Sequence, residues 1–165
     1  MLSSLLLALA ATALTAAQRL KVTNNCPSAL TLTAVNHADA TGPLPLSSAT
    51  NSSGPSFVAL ALAGTGVAIK VTRDTEQPGT GAAEVILGYS IAAADGKTVY
   101  YSLDQVHGEL FANATNAVGV WGPGQTGTCG TIEWVGGKRP AVDLVSSCVL
   151  GTGAELRLEL CARRV

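Results

Sequence analysis

From residue 18 onward, apolar and polar positions mostly alternate with a period of two. Leu30, Leu32 and Ala34 alternate with Thr31 and Thr33, and Val67, Ile69 and Val71 with Ala68, Lys70 and Thr72. Val99, Tyr101 and Leu103 repeat the pattern against Thr98, Tyr100 and Ser102. It is strictest at the end, where Leu156, Leu158 and Leu160 alternate with Glu155, Arg157 and Glu159. Successive side chains of an extended strand point to opposite faces, so each segment predicts a half-buried strand. Asp95-Gly96, between Tyr89–Ala94 and Lys97–Leu103, predicts a hairpin turn in which both residues tolerate positive φ. Gly136-Gly137 and Gly151-Thr152-Gly153 punctuate later strands in the same way. Ala82 to Leu87 is compatible with a helix start, but Gly88 and the β-rich sequel favour a strand. Asp39 to Pro55, rich in Pro, Ser, Thr and Gly, predicts a long surface loop. Many short strands separated by turns define the expected fold class as an all-β antiparallel sandwich in one domain.

Residues 1–17 do not alternate. The apolar stretch Leu5 to Leu14 leads into small Thr15-Ala16-Ala17 and then polar Gln18-Arg19. That is the pattern of a secretion signal cut after Ala17, although its first residues offer only the terminal amine as positive charge. The run falls short of the roughly 20 apolar residues of a membrane span. The expected division is a signal peptide over 1–17 and one β-sandwich domain over 18–165, secreted to the cell exterior or wall.

Export gives the cysteines their meaning. All four, Cys26, Cys129, Cys148 and Cys161, follow the signal, so two disulfides are expected and three pairings are open. There is no C-x-x-C and there are only two histidines, so no metal and no cofactor are expected. Asn51-Ser52-Ser53 and Asn113-Ala114-Thr115 are acceptor sequences for N-glycosylation at Asn51 and Asn113. Net charge is −1, with no cluster of Lys or Arg, which argues against nucleic acid and anionic membrane as partners. Charged residues make up 13% of the chain, against about 25% in typical domains, too few for many charged helix faces. A monomer is expected.

Several chemical motifs compete with plainer readings. Gly122-Pro123-Gly124-Gln125-Thr126-Gly127 matches G-x-G-x-x-G, but a cysteine and a strand-like stretch follow where a dinucleotide site needs a helix. It reads as a surface loop. Ser102, Asp104 and His107 supply triad residue types, yet triads are defined by geometry, and these three read as a solvated strand end. Glycoside hydrolysis needs two carboxylates flanking a bond, for which Glu84, Asp104, Glu109, Glu133 and Asp143 are available. A copper monooxygenase would need histidine at the mature N-terminus, where cleavage leaves Gln18. Aromatic rings suit sugar faces as well as cores. Trp134 alternates with Glu133 and reads as core, whereas Tyr100 projects opposite Val99 and Tyr101, and Trp121 falls in a Gly-rich loop. Tyr100 and Trp121 are therefore the binding candidates, with no catalytic residue assigned.

Val22-Thr23-Asn24-Asn25-Cys26-Pro27, followed by an alternating strand, resembles the opening of thaumatin-like proteins. The match is closer to the fungal thaumatin-like family named for a yeast-phase-specific antigen (the CetA-like group). Gly64-Thr65-Gly66-Val67-Ala68-Ile69-Lys70 resembles its glycine-led strand, and Leu87-Gly88-Tyr89-Ser90 its aromatic strand. Tyr100 to Phe111 resembles its Tyr-Tyr-Asp-Leu-Ser segment, with Ser102 where Asp is usual, Asp104 where Ser is usual and Leu110 in place of Pro. Leu156 to Cys161 resembles its final cysteine strand.

The resemblance implies a small thaumatin-like sandwich without the cysteine-rich second domain that helps form the acidic cleft of larger relatives. It also implies joined first and last strands, hence Cys26 with Cys161, which leaves Cys129 with Cys148. The function it implies is a secreted non-catalytic protein acting at the fungal cell wall or host surface by binding carbohydrate or protein. The alternatives are a β-glucan hydrolase with an acidic cleft and an effector or antigen that binds a host protein.

Overall fold

The computed structural model describes residues 18–38, 42–49, 55–122, 129–140 and 144–162. The expected signal peptide, the Asn51 sequon, Asp143 and most of the G-x-G-x-x-G segment lie outside them. The strands are β1 (Arg19–Asn24), β2 (Leu30–Val35), β3 (Leu44–Leu46), β4 (Ser56–Ala61), β5 (Val67–Arg73), β6 (Glu84–Ile91), β7 (Thr98–Val106), β8 (Asn116–Trp121), β9 (Ile132–Trp134), β10 (Val145–Val149) and β11 (Glu155–Leu160). They form a five-stranded sheet in the order β4-β1-β11-β8-β9 and a six-stranded sheet in the order β10-β7-β6-β5-β2-β3. Every neighbouring pair is antiparallel except β1 with β11, which run parallel in the register Leu20 to Leu156.

The alternation read from the sequence sets the core. Leu20, Val22, Val118, Leu156, Leu158 and Leu160 of one sheet and Leu32, Ile69, Val71, Leu87, Val99 and Tyr101 of the other are buried between the layers. Trp134 is buried with them, as its alternation with Glu133 predicts. Cys26 is joined to Cys161 and Cys129 to Cys148. The first bond ties the end of β1 to the end of β11. Beside it, the buried Asn24 amide donates to Ser28 O at 2.9 Å and Ser47 O at 2.9 Å, while its Oδ1 accepts the Cys26 N–H at 2.9 Å. A buried side-chain amide satisfied on both sides fixes the turn that presents the cysteine.

Three local expectations need correction. The stretch expected as one long loop contains β3, whose Leu46 is buried while Pro45 sits on an edge strand that can spare its N–H. Three residues are too few to show a period. The Asp95-Gly96 turn is longer than a two-residue hairpin: β6 ends at Ile91, and only Gly96 takes positive φ, at 62°. Asp95 instead uses its carboxylate, which accepts the Thr98 hydroxyl, the Thr98 N–H and the Lys97 N–H. Those bonds, the Thr98 hydroxyl first, hold its pKa down at about 2, from an ordinary 3.8. Trp121, expected in a loop, is the last residue of β8.

Candidate functional site

The outer face of the six-stranded sheet is built by the residues that alternate with the core set. On β7 these are Thr98, Tyr100, Ser102 and Asp104, and the ladder places Ser90, Gly88 and Ile86 of β6 opposite the last three. On the other side, Ser147 and Val145 of β10 lie opposite Tyr100 and Ser102. Tyr100 is 48% exposed and Val145 70% exposed. Between them lies a shallow depression of about 360 Å³ lined by Gly66, Gly88, Ser90, Tyr100, Ser102 and Val145. Its floor is glycine, and a Cβ on Gly88 would lie 3.1 Å from Ser102 Oγ, so the serine would have to give by a few tenths of an ångström. The Ser90 hydroxyl accepts the Gly66 N–H at 2.7 Å, which fixes the rim. The result is an aromatic ring standing beside a small-residue floor and hydroxyl groups.

Alongside, Ser102, Asp104, Arg139, Leu144 and Val145 line a smaller hollow of about 190 Å³, with Arg139 Nη1 at 2.8 Å from Asp104 Oδ1. Farther across the same face a groove of about 590 Å³ runs over β2 and β5, between Pro43 and the segment from Asp74 to Pro78. Thr31, Thr33 and Lys70 form its base. Lys70 Nζ lies 3.4 Å from Glu84 Oε2, and the Glu84 side chain is 1% exposed. Glu84 is on the outer face of β6, buried where the Gly79 N–H donates to its Oε1.

The residues weighed as catalytic candidates lie as follows among the described residues. Asp104 is engaged by Arg139 and by the Gln105 N–H rather than by His107, which sits past the strand end at φ 59°. Glu84 and Asp104 share one face, but each is a salt-bridge partner, Glu84 of Lys70 and Asp104 of Arg139. Glu109 lies in the turn after β7, and Glu133 is exposed on β9 of the other sheet. Among the described residues no group of three or more His, Cys, Asp or Glu is placed to hold a metal ion.

Tyr100 and Trp121 do not come together. Trp121 faces outward from the five-stranded sheet, opposite Glu155 in the ladder. A Cβ on Gly119 would lie 3.2 Å from the Trp121 ring, so the ring rests against that glycine. The Arg157 guanidinium sits 5.7 Å from the ring centroid, held by Glu155 at 2.9 Å. Asn113 is exposed in a turn at φ 68°, where its side chain is accessible. Sequence reading missed Val145 and Ser147 as neighbours of Tyr100, and Arg139 as the partner of Asp104. Exposed valines on β10 were the available signal, and they mimic core positions.

Fold and site together define a disulfide-closed β-sandwich with an open, shallow outer face on the six-stranded sheet. The chain belongs to the family described as Blastomyces yeast-phase-specific protein (Bys1), whose model matches residues 7–162. No curated protein matches it. Among solved structures it is similar to the protein elicitor MoHrip2 from Magnaporthe oryzae, at 21% identity and a TM-score of 0.62. That similarity covers 88% of this chain and 100% of the other.

Proposed function

We propose that this is a secreted, non-catalytic fungal protein of the thaumatin-like type, which binds a cell-wall polysaccharide through the outer face of the six-stranded sheet. The observation that carries this reading is the exposed Tyr100 ring beside the glycine-floored, hydroxyl-rimmed depression. Apolar sugar faces stack on such rings while serine hydroxyls meet sugar hydroxyls. Secretion is supported by the signal-like residues 1–17 and by two disulfides, which persist in oxidising compartments. Asn113 and Asn51 are its glycan attachment sites.

A second reading, a host protein as partner, draws support from the elicitor to which the fold is similar. The hydrolase alternative draws on Glu84 and Asp104 sharing one face.

The test is retention of the secreted protein on immobilised fungal-wall glycans, with released reducing sugar measured in parallel. Tyr100→Ala is expected to weaken retention at least tenfold with little change in thermal unfolding, while Trp121→Ala, on the opposite face, leaves it intact. Equal retention by Tyr100→Ala and the parent protein would refute the site. Sugar release abolished by Glu84→Gln or Asp104→Asn would establish hydrolysis. Neither retention nor release would transfer the function to a protein partner.

A further inference from the structure

The two sheets have four edge strands, and three are short or tied down. β3 and β9 each have three residues, with Pro45 in one and Glu133 in the other, and β10 is fastened through Cys148 to Cys129. The fourth, β4, has six residues, Ser-Phe-Val-Ala-Leu-Ala, with no charge, proline or glycine. Natural edges usually carry one of those devices against further strand pairing.

The direction of the β4 backbone groups follows from the ladder. The Leu62 N–H donates to Gln18 O at 3.0 Å, so Leu60 and Val58, paired with Leu20 and Val22, also face β1. Phe57, Ala59 and Ala61 then face outward. The Ala61 carbonyl accordingly accepts His37 Nε2 at 2.8 Å. The Phe57 and Ala59 N–H and C=O groups have no partner among the described residues. All three residues are exposed, Phe57 at 59%, and Lys21 Nζ lies 4.5 Å from the Phe57 ring centroid on the outer surface of the sheet, clear of the edge.

We infer that β4 is the interface of a homodimer, formed by antiparallel pairing of β4 with β4 of a second copy. Unpaired N–H and C=O groups at alternate residues are matched only by another extended strand. The sequence is self-complementary across a two-fold axis through Ala59. That axis sets Ala59 opposite Ala59 and the bulky Phe57 opposite the small Ala61, whose carbonyl keeps a second lone pair for the partner's Phe57 N–H beside its bond from His37. The absence of charge on β4 and a net charge of −1 per chain leave little repulsion to overcome. The two five-stranded sheets become one continuous sheet, and the two-fold closes the assembly. This departs from the monomer expected from sequence and is independent of the Tyr100 reading, because β4 belongs to the other sheet.

Sedimentation equilibrium of the full secreted protein, from low to high micromolar concentration, tests the inference. The parent is expected to show a monomer–dimer equilibrium. Ala59→Pro removes an outward N–H and spares the β1 ladder, as edge strands tolerate, while Ala59→Lys places like charges face to face. Each should weaken dimerisation at least tenfold, with the thermal midpoint of the monomer retained. Ala59→Cys should crosslink to itself under oxidation, because directly opposed hydrogen-bonded residues lie about 5.5 Å apart, within disulfide reach. This variant decides the matter if the proline variant fails to fold. A parent that stays monomeric throughout, a dimer unaffected by both Pro and Lys, or open-ended assembly would overturn the inference.

Discussion

Lys70→Met should be among the most damaging single changes on the outer surface of the molecule. Lys70 and Glu84 are diagonal neighbours on β5 and β6, since Lys70 pairs with Ile86 two residues along. Their charged atoms are 3.4 Å apart, with the lysine side chain 28% exposed and the glutamate 1% exposed. At an effective dielectric of about 20 this separation corresponds to a gross attraction of about 5 kcal/mol. Much of that only offsets the desolvation of Glu84. Removing the lysine, however, leaves the desolvation in place, with only the Gly79 N–H on the carboxylate.

Breaking fully buried pairs costs about 3–5 kcal/mol. Because Lys70 keeps some contact with water, a loss of about 2–4 kcal/mol is expected, a large share of a typical stability of about 5–15 kcal/mol. Glu84→Gln should cost about 1–2 kcal/mol, because the amide oxygen can still accept from Gly79. The double variant should be no worse than Glu84→Gln alone. Urea unfolding at pH 7 with the disulfides intact measures all three, provided the m-value is unchanged. Strictly additive losses, or a Lys70→Met loss below about 0.5 kcal/mol, would refute the pairing as a source of stability.

Leu158→Ala, at a fully buried position, should cost about 2–5 kcal/mol, whereas Arg157→Ala should cost under about 1 kcal/mol, since it loses only a surface pair and the Trp121 contact. Equal shifts in urea midpoint would contradict the assigned face. Gly137→Ala should cost about 3 kcal/mol or more in the same assay, because its φ is 73° and a Cβ would meet Phe111 O and C head-on. Asp95 has a folded pKa of about 2, below its ordinary 3.8, so its contribution is present above pH 3.8 and fades as pH falls through about 2. Asp95→Ala should therefore lower the thermal midpoint at neutral pH, and the difference from the parent should shrink as pH falls from 3.8 through about 2.

Strands with one wet and one dry face were legible because burial alone dictates their pattern. β2, β7 and β11 follow their alternation, and β5 does so up to Thr72, which is buried where a polar outward residue is expected and bonds Glu76 O through its hydroxyl. The illegible strands break that link. β8 reads as continuously apolar because Trp121 lies over Gly119 and so covers part of the outer side. β4 is apolar on both sides, and β10 is inverted, with Val145 and Val149 outward and Cys148 buried. Tyr100 was identifiable as outward from its neighbours alone. Its surroundings were not, because Val145 and Ser147 reach it from a strand more than 40 positions away in sequence. Trp121 was misplaced for the same reason that β8 was missed.

The position of β11 also constrains how the chain reaches this state. β11, the last of the described strands in chain order, lies in the interior of its sheet, with β1 on one side and β8 on the other. Until it arrives, the first strand of the domain has only β4 for a neighbour, and β8 has only β9. Folding therefore cannot finish progressively as the chain emerges. The five-stranded layer assembles in a late step that joins the two ends of the domain, and such distant pairings make for slow folding. A truncation removing β11 would then leave two separate strand pairs, β4 with β1 and β8 with β9, in place of a slightly shortened sheet.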